Sequence, residues 1–347
     1  MDQQSRYPKE KLHVLNASFM GPAHVIGLFG FYGAILGYWK WQTIVLGAVL
    51  FCVSALGITV GYHRFFTHRS FRCGKFMQVI LAMSGITALE HSIRSWVADH
   101  VTHHNETDKE KDPYNASRGF WHSHIGWILF KDPDKKQDYS AANHLMEDAF
   151  TRAFVNSQRE RYYPLSIFFP DVVLVLIASL CKKQDDNTVN RLMDDSFTRV
   201  LVSFQHKYYY PLAVFFSGVV PILIASLWGD PIGGLIFAGF SRLIASWHAT
   251  FCINSLAHWK HWGSTQPYSR ENTAQDSWVV SLFTFGEGYH NYHHKFQRDY
   301  RNGPLWYNFD PSKWIIFWLS KLGLAWDLVR IPDWKIEEAR QAVLKTA

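Results

Sequence analysis

The chain has 347 residues, 48% hydrophobic, 16% aromatic and 18% charged, with a formal net charge of +6. So low a charged share and so much apolar side chain exclude a largely disordered protein. The four cysteines (Cys52, Cys73, Cys181, Cys252) form no CxxC pair, and two of them lie in long apolar runs, which argues against a secreted disulfide scaffold.

In chain order, residues 1–12 (MDQQSRYPKEKL) are polar and are expected to be no cleavable leader. Four apolar runs, 19–37, 43–61, 211–228 and 232–253, reach the ~20 residues that a bilayer crossing needs. They form two hairpins. A mean hydropathy of only −0.12 implies a large water-facing cap on this stem. Segment 76–89 is too short to span and fits an interfacial or buried helix. Segment 164–180 has the minimum length but carries Pro170-Asp171 at its middle. A central Asp costs roughly 2.5–3.5 kcal/mol and Pro removes a backbone donor, so no regular span is expected there.

Loop charges set the orientation. Arg6, Lys9 and Lys11 precede the first span, and Arg64, Arg69, Arg72 and Lys75 follow the second. The two hairpin loops carry Lys40 as their one positive charge. By the positive-inside rule both termini and the histidine-rich segments face the cytosol. The Asn-x-Ser/Thr matches at Asn16, Asn105 and Asn115 should then carry no glycan.

The chain also repeats itself. Residues 146–180 align without gaps on 193–227, with 20 of 35 positions identical. One duplicated unit is not a solenoid, which needs about three repeats. The first copy, with its Pro-Asp, is expected to be peripheral. The expected fold is an all-α integral membrane protein. It has four transmembrane helices under a cytosolic helical cap, in one domain over 1–347.

The 18 histidines are clustered. His63 and His68 stand in HRFFTH after the second span. His100, His103 and His104 form HVTHH. Asn254 and His258 form NSLAH at the end of the last span. His290, His293 and His294 form HNYHH after Gly286-Glu287-Gly288. In HxxHH the side chains at i, i+3 and i+4 leave a helix on neighbouring directions, so imidazoles can converge. Neutral imidazole suits Fe, Zn, Cu or Ni. Nine such nitrogens exceed the coordination of one ion and suit two. The remaining nine histidines, among them His122, His124, His144, His206, His248 and His261, read as structural or surface groups. Asp99, Glu106, Asp108 and Glu287 lie near enough in sequence to orient ligating rings.

At these motifs the chain resembles the membrane-bound fatty acyl desaturases, and most closely the delta-9 stearoyl/acyl-CoA type. The likeness covers 48–326 and includes SALGITVGYHRFFTH, DHVTHHNETD, ATFCINSLAH and FGEGYHNYHHKFQRDYRNG. It implies two irons held by His63, His68, His100, His103, His104, His258, His290, His293 and His294, with Asn254 acting through a water. It implies O2 as co-substrate and removal of two hydrogens from a saturated fatty acyl-CoA to give a cis double bond.

Trp96, Asp99, Arg118 and Lys207 are the candidate substrate contacts. The sequence departs from the family at Ala98, where Arg often precedes the Asp, and at Glu90-His91, where animal members have Gln-Asn. Electrons are expected from a separate donor, such as cytochrome b5 with its reductase or a ferredoxin. The membrane is the endoplasmic reticulum in a eukaryote or the inner membrane in a bacterium, and no nucleic acid partner is expected. Competing readings are a related di-iron hydroxylase, an acyl-lipid desaturase, an inactive paralogue and a histidine-rich metal transporter. A transporter would place its ligands near the midplane instead of at span ends.

Overall fold

The computed structural model describes residues 10–132, 138–140, 142 and 196–345. Helix α1 (Val14–Ile35) turns at Gly37 into α2 (Trp41–Thr67). Helices α3 (Lys75–Ile86) and α4 (Ile93–Glu106) begin the cap. After α5 (Ser196–Lys207) the chain makes a second hairpin, α6 (Tyr209–Ser226) and α7 (Pro231–His258). The cap is completed by α8 (Trp278–Phe283), α9 (His290–Lys295), α10 (Pro311–Lys321) and α11 (Asp333–Lys345). Among the described residues α1, α2, α6 and α7 are long and apolar enough to cross a membrane. The strands are two-residue pairs: Lys11–Leu12 with Phe130–Lys131, and Arg72–Cys73 with Ala325–Trp326, both antiparallel. The all-α membrane architecture expected from the hydropathy is therefore the one observed.

The hairpins are tied at their loops. Asp230 caps α7 by accepting Gly233 N at 3.0 Å, with Pro231 on the first turn. Its other oxygen accepts Lys40 N at 3.0 Å and Thr43 Oγ1 at 2.6 Å across the gap. Along the stem the helices touch backbone to backbone. A Cβ on Gly57 would fall 2.3 Å from Gly85 N, so only glycine lets α2 cross α3 there.

Two spans outrun their apolar sequence. Helix α2 continues to Thr67, and its last stretch, Gly57–Thr67, is wound wider than an α-helix. His68 N bonds His63 O at 3.0 Å in that i→i+5 pattern. Helix α7 continues to His258. These extensions lift His63 and His258 out of the bundle toward the cap.

Segment 76–89 forms α3, a half-buried helix on the flank of α2 with Phe76 and Ile80 exposed. Helix α5 packs on α3 and α4: Thr198 Oγ1 donates to Gln78 Oε1 at 2.7 Å, and Ile93 N to Gln205 Oε1 at 2.9 Å. The second repeat copy thus supplies α5 and α6. The first copy, with segment 164–180, lies outside the described residues, as do Cys181 and His144. Cys52, Cys73 and Cys252 are free thiols.

Candidate metal centre

All nine histidines of the four motifs meet in one place, and they sort into two groups. His63, His68, His100, His104 and His293 form one, and His103, His258, His290 and His294 the other. Within each group the ligand atoms lie within 4.8 Å of one another. The partition cuts across the motifs. On α4 a residue turns about 100° per step, so His100 and His104 share a face and His103 points away from His104. Helix α9 repeats the pattern with His290 and His294 together and His293 apart. Each HxxHH therefore gives its i, i+4 pair to one group and its i+3 ring to the other.

Nitrogen spacing tests whether cations fit. His293 Nε2 lies 3.0 Å from His63 Nε2 and 2.9 Å from His104 Nε2. His100 Nε2 lies 3.0 Å from both His68 Nε2 and His104 Nε2. In the second group His294 Nε2 lies 3.3 Å from His103 Nε2 and 3.1 Å from His290 Nε2, which is 3.1 Å from His258 Nε2. One N–H can serve only one neighbour, so these nitrogens cannot all be satisfied by each other. Two imidazole nitrogens about 2.1 Å from a shared ion and at right angles stand about 3.0 Å apart. The donor set fits metal ions in both groups.

The outer partners fix the tautomers. His63 Nδ1 is 2.9 Å from Glu287 Oε2, and His103 Nδ1 is 2.9 Å from Asp112 Oδ1. His258 Nδ1 is 2.9 Å from Thr273 Oγ1, which donates to Asp108 Oδ1 at 2.8 Å. Where Nδ1 carries the proton, Nε2 presents a bare lone pair to the group's centre. Burial opposes ionisation of Glu287, but His63 and Arg64 outweigh it and hold its carboxyl below the ordinary value. Asp112 behaves alike, through His103 and the backbone N–H groups of Asp108 and Tyr114. Burial, then neighbouring imidazoles, drives His100, His104, His290, His293 and His294 well below the ordinary histidine value, so these rings are neutral and ligand-competent near pH 7. His68 follows, with Arg64 adding to the effect.

Of the four expected outer carboxylates, Glu287 touches His63, and Asp108 reaches His258 through Thr273. Glu106 pairs instead with Lys109 at 3.7 Å. Asp99 faces the cavity described next. Asp112, nine residues beyond His103, was not singled out from the sequence. Its DPYN turn, where Tyr114 N bonds Asp112 Oδ1 at 2.9 Å, was the available signal.

A cavity of about 390 Å³ runs from α1 and α6 to the two histidine groups. Met20, Ile58, Leu89, Trp247 and Phe251 give it apolar walls. It touches both groups, through His63 and His100 on one side and His290 on the other, and Asn254 opens onto it. Trp96 lines it and stacks on His100, with ring centroids 4.6 Å apart. Glu90 also lines it and accepts Thr250 Oγ1 at 2.8 Å. Burial raises the Glu90 carboxyl to about 8, against the Thr250 and Trp96 hydrogen bonds.

Two candidate substrate contacts stand away from this cavity. Arg118 is held by Glu10 in a two-point ion pair at 2.8 and 2.6 Å. Lys207 is exposed, with Nζ 5.0 Å from the Tyr208 ring centre, while Tyr209 and Tyr210 line the cavity. A second cleft, of about 320 Å³, reaches His68 and His104 between Arg69 and Arg298 and shares no lining residue with the first. Of the other histidines, His124 bonds Ser255 Oγ at 2.9 Å and His248 Nδ1 at 3.0 Å.

The fold and the site together define an all-α membrane protein with a two-part histidine centre capable of holding metal ions. The family model described as fatty acid desaturase matches residues 39–311, and the chain belongs to that family. It is 34% identical over 320 residues to a probable acyl-CoA desaturase of Schizosaccharomyces pombe, covering 91% of this chain and 56% of that protein. It is 36% identical over 289 residues to acyl-CoA desaturase 1 of Saccharomyces cerevisiae, covering 83% and 46%. It is 28% identical over 336 residues to the Delta(9)-fatty-acid desaturase fat-7 of Caenorhabditis elegans, covering 96% and 84%. The chain thus spans about half the length of the two fungal relatives.

Proposed function

We propose that this chain is an oxygen-dependent acyl-CoA desaturase of delta-9 type. Two irons would be held by His63, His68, His100, His104 and His293, and by His103, His258, His290 and His294 with Asn254 through a water. The observation that carries the reading is the meeting of two imidazole groups at the wall of one apolar cavity. The balanced reaction is CH2–CH2 + O2 + 2e− + 2H+ → CH=CH + 2H2O. An alkyl C–H bond offers nothing for an acid or base to polarise, so the irons would supply the oxidising power.

The chain's own contribution is position. Trp96, packed on His100, and the Glu90–Thr250 pair shape the cavity where it passes the centre, which holds one methylene pair in place. Apolar walls keep bulk water from the reacting carbons. Glu287, Asp112 and Thr273 hold the ring protons on Nδ1 and leave Nε2 free for metal. The electrons would come from a donor of cytochrome b5 or ferredoxin type, and the cleft at His68 and His104 gives an approach that does not cross the acyl cavity. Both termini and the cap face the cytosol, as loop charges favour.

The test is expression in a desaturase-deficient host with fatty acid profiling. Wild type should yield oxygen-dependent acyl products two mass units lighter, and H294A should lose them. A product sixteen units heavier would mark a hydroxylase instead. Unsaturation that survives H294A would refute the mechanism.

A further inference from the structure

The underside of the cap is more apolar than a water-facing surface allows. On α10, Trp314, Phe317, Trp318 and the following Leu322 are exposed, and Trp306 ahead of it is 86% exposed. Across 305–322 the buried Asp310 is the lone acid, Lys313 is buried as well, and Lys321 is the one exposed charge. Its Nζ lies 5.2 Å from the Phe317 ring centre, leaning along the apolar face as a snorkelling lysine does. Helix α8 adds exposed Trp278, Leu282 and Phe283. Contiguous exposed apolar patches of this kind mark a binding surface.

Depth identifies the partner. Helix α2 has 27 residues, roughly 40 Å at 1.5 Å per residue, against a hydrocarbon core of about 30 Å. Counted from Trp41, residues up to about 61 lie within the core. The cap touches α2 below that level. The Phe285 ring is 5.9 Å from the Phe51 ring. Phe283 lines a small pocket with Ser54 and Ala55. Ser312, at the start of α10, bonds Thr59 Oγ1 at 2.7 Å. The apolar faces of α8 and α10 therefore continue the lipid-facing surface of the stem. Trp and Tyr are the residues favoured at a membrane interface, and Trp306, Tyr307, Trp314 and Trp318 all stand here.

We propose that α8, the 305–309 loop and α10 form a monotopic anchor that lies in the same leaflet as the cytosolic end of α2, with lipid acyl chains against Trp314, Phe317 and Trp318. The cap is then seated in the membrane instead of standing clear of it on four helices. An acyl cavity held at a fixed height above the hydrocarbon follows from this seating.

The test uses the full chain in phosphatidylcholine vesicles whose acyl chains carry a photoactivatable diazirine close to the head group. After irradiation, adducts are mapped by peptide mass spectrometry. Peptides covering 278–283 and 305–322 should carry lipid at a yield comparable to α1. In W314D/W318D, which alters exposed side chains only, the yield on 305–322 should drop several-fold while that on α1 holds. Adducts confined to α1, α2, α6 and α7 would overturn the proposal. Chain-to-chain cross-links at 305–322 in place of lipid adducts would overturn it in favour of a second copy. Neither readout depends on desaturase activity.

Discussion

Glu287 sits where the proposed metal centre and its support meet, so replacing it by Gln tests both. Its Oε2 receives Asn302 Nδ2 at 2.6 Å and lies 2.9 Å from His63 Nδ1, and its Oε1 receives Arg64 Nη2 at 3.0 Å. Every neighbour is a donor, and the residue is 2% exposed. A glutamine amide has the same shape, but whichever way it turns, its NH2 faces a donor. Turned toward His63, it favours the tautomer that puts the proton on Nε2 and blocks metal. Loss of such a partner lowers metal affinity 10–100-fold, about 1.4–2.8 kcal/mol. Arg64 keeps Asp310 through Nη2 at 2.9 Å and Nη1 at 3.3 Å, so the guanidinium is not orphaned and the fold persists.

The assay is metal content of the purified chain across a chelator series, with thermal midpoints measured in parallel. E287Q should shift one of two release steps, that of the five-histidine group. D112N, acting on His103, should shift the other. E287Q releasing both ions at the parent's chelator concentration would refute the tautomer argument. So would equal shifts of both steps in both variants.

Two further outcomes follow from the geometry. D230A removes the α7 cap and the bonds to Lys40 and Thr43, and should cost about 1–2 kcal/mol, read as a lower thermal midpoint in detergent with metal content unchanged. Glu90 is protonated in the folded chain up to about 8 but ionises near 4.5 when unfolded. The folded state binds the extra proton between those values, so stability should fall as pH rises through that window and level off above it. E90Q should flatten this slope in thermal scans from pH 5 to 8.5; an unchanged slope would place the titration elsewhere.

The four spans, the cap and the nine-histidine inventory were legible in the sequence because each rests on local pattern. Twenty apolar residues need a bilayer, and HxxHH puts rings on adjacent directions of a helix wherever it folds. Expected span ends fell short at 61 and 253 because α2 and α7 carry polar residues past the apolar run, where the cap shelters them. Helical period alone separates His103 from His100 and His104, but not which metal group each joins. That choice depends on how α4 and α9 face each other, a relation between segments nearly 190 residues apart.

Outer partners were hardest to read, since a carboxylate beside a ligand in sequence need not be beside it in space. Glu106, two residues past His104, points to Lys109, while Asp112 folds back through a turn onto His103. Arg118 was a candidate substrate contact by sequence, yet Glu10, 108 residues earlier, holds it in an ion pair. Sequence by itself determined the membrane class, the helical stem and which rings could bind metal, because these follow from composition and helical period. Tertiary structure decided the five-and-four division, the carboxylates behind it and the cavity that joins both groups, because each depends on distances between remote segments that no local pattern encodes.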